Sequence, residues 1–175
     1  CALGLATPTA ITVGIGKAAG QGILIKDADS LETARRVDTV VLDKTGTVTE
    51  GRPVVTDEVW PEGRREAAAI LAGLEALSEH PLAEAVTAHY GRPDNVEIVD
   101  FRSLTGRGVS GIVEGQTWYA GSERLLREQH IVLTEELAAT AAAWTAEAKT
   151  VIWLADSSRA LGVVAVADTV KASSV

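Results

Sequence analysis

Asp43 is the residue of this chain best placed to do chemistry. It directly follows residues 39–42 (TVVL), an apolar and β-branched run that is typical of a strand buried on both faces of a parallel sheet. A carboxylate at the carboxyl end of such a strand lies where open α/β sheets bind ligands, and an aspartate there can attack a phosphoryl group to form an aspartyl-phosphate. Turn chemistry alone would also explain an Asp-Lys-Thr-Gly sequence, so the residues by themselves leave both interpretations open.

The residues after Asp43 suit a phosphate. Lys44 adds a positive charge, Thr45 and Thr47 supply hydroxyl and amide groups, and the glycine between them lets the backbone turn tightly. Mg²⁺ would be needed to neutralise the charge that develops during phosphoryl transfer.

Hydrophobic patterning predicts the elements that position these residues. Strands are predicted at 23–25 and 39–42, with a helix at about 30–36 between them. Beyond residue 52 we predict strands at 53–60, 96–101, 109–113, 116–120, 150–155 and 160–167, and helices at 64–77, 81–90, 122–129 and 134–147. Glu114-Gly115 is predicted to form a hairpin turn. The buried-strand pattern of 39–42 returns in 162–168 (GVVAVAD), so a βα unit of a parallel sheet is predicted to be interrupted by an α+β insertion.

The first sixteen residues contain no charged side chain. As a helix they would reach about 24 Å, short of the roughly 30 Å hydrocarbon core of a bilayer. Lys17 and Lys26 follow without an intervening acid, which is the positive flank expected on the cytoplasmic side. We predict the cytoplasmic end of a transmembrane helix with lipid around residues 1–16, although a buried helix of a soluble domain would have the same composition.

Composition excludes several classes of protein. The chain has 175 residues, none of them Met, with 46% apolar and 23% charged residues, which predicts a globular piece of a longer protein. The net charge of −8 argues against binding to nucleic acid. The single cysteine, Cys1, excludes an internal disulfide.

Several segments together resemble a known family. DKTGT followed by Val and Thr resembles the phosphorylation signature of P-type ATPases. The opening CALGLATP resembles the membrane helix of their heavy-metal-transporting branch, residues 78–81 (SEHP) its His-Pro signature, and residues 105–109 (TGRGV) its Gly-x-Gly loop. Residues 168–171 (DTVK) resemble the Asp-x-x-Lys hinge of that branch. These segments occur in the family's order, and the sequence flanking Cys1 is more similar to the copper-transporting subgroup.

The resemblance implies an α/β fold with four parts. Residues 1–20 would be the cytoplasmic part of a transmembrane helix, and 21–52 the first segment of a haloacid-dehalogenase-like phosphorylation domain with an incomplete parallel sheet. Residues 53–163 would form an α+β nucleotide-binding domain, and 164–175 the return to the phosphorylation domain.

The resemblance also implies roles for individual residues. Asp43 would be the phosphorylated nucleophile, Thr47 would contact the phosphate, and Asp43 with the backbone carbonyl of Thr45 would bind Mg²⁺. Lys44 would lie beside them in the catalytic segment, and Cys1 would bind the transported ion. Glu75 and His80 would recognise adenine, and the remaining nucleotide-binding residues would be Gly106, Gly108, Gly121, Asp168 and Lys171.

The implied function is ATP-driven export of Cu(I) by a membrane protein whose residues from about 17 onward are cytoplasmic, with a soluble metal chaperone as partner. A pump for Zn²⁺, Cd²⁺ or Pb²⁺ is the nearest alternative. A soluble haloacid-dehalogenase-type phosphatase would need an acid at position 45, so Thr45 counts against it. A non-catalytic nucleotide-binding module is the third alternative. By itself the chain is expected to bind ATP without turnover.

Overall fold

The computed structural model describes residues 4–174, apart from the side chains of residues 62 and 63. The chain divides between Leu42 and Asp43 into two compact units.

The first unit contains two helices. Helix α1 spans Ala6–Ala19 and α2 spans Ala28–Ala34, and the carboxylate of Asp27 accepts a hydrogen bond of 2.8 Å from the Ser30 amide to cap α2. In residues 4–174 no helix has both the length and the hydropathy that a bilayer crossing requires.

The strands predicted at 23–25 and 39–42 are not formed. Residues 39–42 belong to no strand, and the side chain of Val41 is 91% exposed. A strand needs a neighbouring strand to satisfy its backbone hydrogen bonds. All strands in the described part of the chain belong to one six-stranded sheet, which does not include residues 23–25 or 39–42. The parallel sheet predicted from the sequence is therefore not seen.

The second unit is built on a six-stranded antiparallel sheet. Its strands are β1 Thr49–Val59, β2 Val99–Leu104, β3 Gly108–Val113, β4 Gln116–Gly121, β5 Thr150–Asp156 and β6 Ala160–Val170, in the order β1-β6-β5-β4-β3-β2. Its α-helices are α3 Ala68–Glu75, α4 Pro81–Tyr90, α5 Glu123–Glu128 and α6 Glu135–Ala146, with short 3₁₀ helices at Pro61–Ala67 and Ala172–Ser174.

Most predicted elements of this unit are found within a few residues of their predicted bounds. The turn between β3 and β4 has positive φ at both Glu114 (51°) and Gly115 (80°), as the predicted hairpin requires. The helix predicted at 64–77 instead begins as the 3₁₀ helix and is α-helical over Ala68–Glu75 only.

Strand β6 corrects the prediction for 162–168. It lies between β1 and β5 in the antiparallel sheet, where the pattern suggested a return to a parallel one. Its apolar run is continuous because the sheet is covered on both faces. Val164 and Val166 pack with α3 and α4, while Val163 packs with α5 and α6. A continuous apolar run indicates that both faces of a strand are buried, and this burial can occur in a parallel or in an antiparallel sheet.

Strands β1 and β6 also run through the predicted domain boundaries. They pair from Thr49 with Val170 to Val59 with Val163, so the boundaries at 52/53 and 163/164 each fall inside a strand. These boundaries stay predictions.

Candidate functional site

The segment after Asp43 forms a tight turn. Thr45 (φ −78°, ψ 121°) and Gly46 (φ 77°, ψ −14°) have the angles of the two central residues of a type II β-turn, which requires positive φ at its second position. Glycine is therefore needed at position 46 for a conformational reason. The side chains of Asp43, Lys44, Thr45 and Thr47 are all exposed around this turn.

Thr49 contacts both sides of this turn through its amide and its hydroxyl. It is 3% exposed, and its amide donates to the Lys44 carbonyl. Its hydroxyl oxygen lies 3.0 Å from that carbonyl and 3.3 Å from the Gly46 amide, and it also contacts the Asp168 carboxylate. The Thr49 hydroxyl can thus accept a hydrogen bond from the Gly46 amide and donate one to the Lys44 carbonyl.

The end of β6 holds the same segment. The Asp168 carboxylate accepts hydrogen bonds from the amides of Gly51 (3.2 Å) and Arg52 (3.1 Å). Lys171 Nζ donates to the Gly46 carbonyl at 2.5 Å. Sequence reasoning assigned Asp168 and Lys171 to the nucleotide, whereas in the structure Asp168 binds the residues just after the DKTGT turn and Lys171 binds the turn itself. Their role in nucleotide binding stays a prediction.

A cavity of about 280 Å³ is lined by residues none of which belongs to the DKTGT turn. It is bounded by the end of α3, the start of α4, the turn between β2 and β3, the end of β4 and the start of β5. Five of the predicted nucleotide-binding residues line this one cavity, namely Glu75, His80, Gly106, Gly108 and Gly121.

Glu75 is the last residue of α3 and is only 6% exposed. Burial penalises its charged form and raises its pKa from 4.5 to about 7. Near neutral pH a large fraction of this carboxyl is therefore protonated, and it can donate one hydrogen bond while accepting another. A second cavity of about 280 Å³ shares Glu75 and His80.

His80 caps the N-terminus of α4. Its Nδ1 accepts a hydrogen bond of 3.2 Å from the Leu82 amide, and Pro81 occupies the first helical position. Because Nδ1 accepts, Nε2 of the ring carries the proton and is a donor. The cap therefore fixes both the ring and its tautomer.

The three glycines of the cavity occupy their positions for different structural reasons. Gly108 and Gly121 face each other across β3 and β4, at φ 145° and 156°. A Cβ at Gly108 would lie 2.1 Å from the Ala120 carbonyl oxygen, and one at Gly121 would lie 2.3 Å from that of Arg107. These two glycines allow the close approach of two strands. Gly106 occupies the turn at φ 69°, and a Cβ at this position would have no atom within 4 Å.

Sequence reasoning missed part of the cavity lining. The hydroxyl-bearing residues Ser78, Ser103, Thr105 and Ser122 belong to it, and so does Arg107. Position alone could have pointed to Arg107, since it lies between the two glycines of the Gly-x-Gly loop.

Two metal sites were predicted, one for the transported ion at Cys1 and one for Mg²⁺ at Asp43 and Thr45. Within residues 4–174 there is no group of three or more His, Cys, Asp or Glu side chains that could hold a metal ion, and Cys1 lies outside the described residues. Mg²⁺ is commonly bound by one or two carboxylates together with substrate phosphates. The Asp43 carboxylate and the Thr45 carbonyl supply hard oxygen donors of the kind that this ion takes.

Residues 37–175 match the haloacid dehalogenase-like hydrolases, and the chain belongs to this family. Among curated relatives, a probable copper-importing P-type ATPase A of Enterococcus hirae is 43% identical and aligns with 98% of this chain. A probable copper-transporting ATPase, PacS, of Synechococcus elongatus is 45% identical over 100% of it, and a copper-exporting P-type ATPase of Staphylococcus saprophyticus is 42% identical over 99%. The chain spans only 22% to 24% of the length of these three relatives.

Solved structures agree with these relatives. A zinc-transporting PIB-type ATPase in the E2.Pi state superimposes with a TM-score of 0.81 at 31% identity, covering 99% of this chain and 28% of that one. The N-domain of HMA6, a copper-transporting P-type ATPase, is 20% identical and shares the fold, with a TM-score of 0.55 over 66% of this chain and 99% of its own. The resemblance to heavy-metal P-type ATPases inferred from the motifs is confirmed.

Proposed function

We propose that this chain is the ATP-binding and phosphoryl-accepting part of a P-type ATPase that transports Cu(I). One observation carries the proposal. Glu75, His80 and three glycines line a single cavity, in a chain that also presents an exposed aspartate at a type II turn. The copper-transporting relatives support the choice of ion, and their names differ on the direction of transport.

The cavity suits an adenine ring. A protonated Glu75 carboxyl can donate to the ring nitrogen N1 and accept from the exocyclic amino group, and His80 Nε2–H offers a further donor. Leu82, Val109 and Ile152 add apolar surface for the faces of the ring. An ionised Glu75 loses its donor, so this arrangement favours ATP binding below the raised pKa of about 7.

Phosphoryl transfer would take place at the turn. A carboxylate oxygen of Asp43 forms a bond to the γ-phosphorus of ATP as the bond to the bridging oxygen breaks, and ADP leaves with that electron pair. Asp43 and the Thr45 carbonyl would hold Mg²⁺, which neutralises charge on the transferred group. Thr45 cannot act as a general acid or base as a carboxyl would, so the aspartyl-phosphate persists long enough for a transport cycle.

The exposed residues before Asp43 fit a larger assembly. Val40, Val41 and Leu42 are 71%, 91% and 63% exposed, a high apolar exposure for consecutive residues. They suit a strand that enters a parallel phosphorylation-domain sheet in the longer protein, with residues 53–163 as the nucleotide-binding domain. Helix α1 would then continue a transmembrane helix that brings Cys1 to the transported ion, with residues from about 17 onward in the cytoplasm.

ATP binding to the chain is the first test. Calorimetric titration should show ATP binding without sustained metal-stimulated hydrolysis. His80→Asn keeps an acceptor for the helix cap but removes the Nε2 donor, so the Kd for ATP should rise about three- to tenfold. His89→Asn, at the other histidine of α4 and outside the cavity lining, should leave the Kd unchanged. Absence of ATP binding to the wild-type chain, or an equal loss in both variants, would contradict the proposal.

The second test uses the longer protein. Labelling with γ-labelled ATP should give an acid-stable phosphoprotein that disappears in Asp43→Asn. Formation of this phosphoprotein should be stimulated by Cu(I); stimulation by Zn²⁺ instead would favour the zinc alternative. Rapid hydrolysis of p-nitrophenyl phosphate would point to a phosphatase.

A further inference from the structure

One positively charged side chain lines the cavity and takes no part in the proposed contacts with adenine. Of the described residues that line it, Arg107 is the one Lys or Arg, beside the titratable Glu75 and His80. The chain as a whole has a net charge of −8, and this overall charge repels a polyphosphate. A fixed guanidinium at the cavity is therefore an exception that suits an anionic ligand.

The backbone of Arg107 is held on both sides. Its amide donates to the Leu104 carbonyl at 2.9 Å, which closes the turn between β2 and β3, and its carbonyl accepts from the Ser122 amide at 2.8 Å. Gly106 and Gly108 flank it in this turn. Arg107 is thus fixed at the point where the predicted nucleotide-binding glycines meet.

The side chain of Arg107 is also positioned. Its Nη1 lies 2.8 Å from Glu128 Oε2, and Glu128 Oε1 accepts from Arg124 Nε at 2.8 Å. One carboxylate is shared by two guanidinium groups, so this cluster keeps a charge of 2 − 1 = +1. The Arg107 side chain is 46% exposed, and its guanidinium carries five N–H donors, more than the Nη1 contact with Glu128 requires.

We propose that Arg107 contacts the phosphate groups of the nucleotide in this cavity, so that the cavity selects ATP and ADP over adenosine. Glu128 is a positioning residue that holds the guanidinium while leaving donors for the ligand. This inference rests on the proposed ATP binding and adds the residue that contacts the phosphate groups.

The test compares two arginines that share Glu128. Arg107→Gln and Arg124→Gln each remove one positive charge from the same cluster, and Arg124 does not line the cavity. ATP, ADP and adenosine are titrated against wild type and both variants at one ionic strength, after thermal unfolding has shown that both variants fold. Arg107→Gln should raise the Kd for ATP about five- to tenfold and leave that for adenosine within about twofold, whereas Arg124→Gln should change the Kd for ATP by about twofold or less.

Four outcomes would overturn the inference. Equal weakening of ATP binding by both variants would mean that only the diffuse charge of the cluster matters. Equal weakening of ATP and adenosine by Arg107→Gln would mean that Arg107 merely shapes the cavity. If wild type binds both ligands but Arg107→Gln changes neither, the contact does not exist while the proposed function stands; if wild type binds neither ligand, both fail.

Discussion

Burial of Glu75 should make the stability of this protein depend on pH. In the folded state its pKa is about 7, against 4.5 for the free side chain. Between these values the folded state binds more protons than the unfolded state, so the free energy of unfolding falls as pH rises. The contribution is fully present below about pH 4.5 and is lost as pH rises through about 7.

The magnitude follows from the difference in pKa. The rise from 4.5 to about 7, at about 1.36 kcal/mol for each pKa step of one, gives a maximum penalty of about 3 kcal/mol for the ionised side chain. Most of this penalty, about 2 to 3 kcal/mol, develops between about pH 5 and about pH 8.

Glu75→Gln removes the titration and keeps the shape and the neutral hydrogen-bonding groups. Urea unfolding of wild type and this variant should show a difference in unfolding free energy that shifts by about 2 to 3 kcal/mol in favour of the variant from about pH 5 to about pH 8. Glu79→Gln is the control, because Glu79 is exposed on the wall of the second cavity. Its difference from wild type should stay within about 0.5 kcal/mol.

A Glu75→Gln difference that does not change with pH would refute this reasoning. It would mean that water in the adjoining cavities hydrates the carboxylate as well as bulk water does, so that burial does not oppose its ionisation.

Other predictions concern the backbone and the turn. Gly108→Ala should destabilise the fold by at least about 2 kcal/mol, because its Cβ would meet the Ala120 carbonyl oxygen at 2.1 Å. Gly115→Ala is the control, since its φ of 80° is strained but its surroundings are open, and a loss of about 1 kcal/mol is expected; equal shifts in thermal unfolding would count against the close approach. Asp168→Ala should speed hydrogen exchange of the amides in residues 46–52, where the carboxylate accepts two backbone hydrogen bonds. Unchanged hydrogen exchange in these residues would show that the Asp168 carboxylate does not stabilise this segment.

The elements of residues 49–170 could be predicted from local rules. Pro81 at a helix start and Glu114-Gly115 between two strands act within a few residues, so helix α4 and the β3–β4 hairpin were found. Strands 23–25 and 39–42 were predicted by the same patterns and did not form. Their sequences specify an extended, apolar chain, but a strand also needs a partner that sequence periodicity does not supply.

The sequence by itself determined the reactive groups: an aspartate before a glycine turn, and a glutamate, a histidine and glycines that the resemblance to P-type ATPases assigned to the nucleotide and that line one cavity. Only the tertiary structure decided how these groups are surrounded. It put β6 between β1 and β5, placed Asp168 at the Gly51 and Arg52 amides and Lys171 at the Gly46 carbonyl, and brought Arg107 to the cavity. Strand partners, burial and pKa depend on residues that are distant along the chain, so they follow from packing, whereas the identity of a reactive group is already fixed by its side chain.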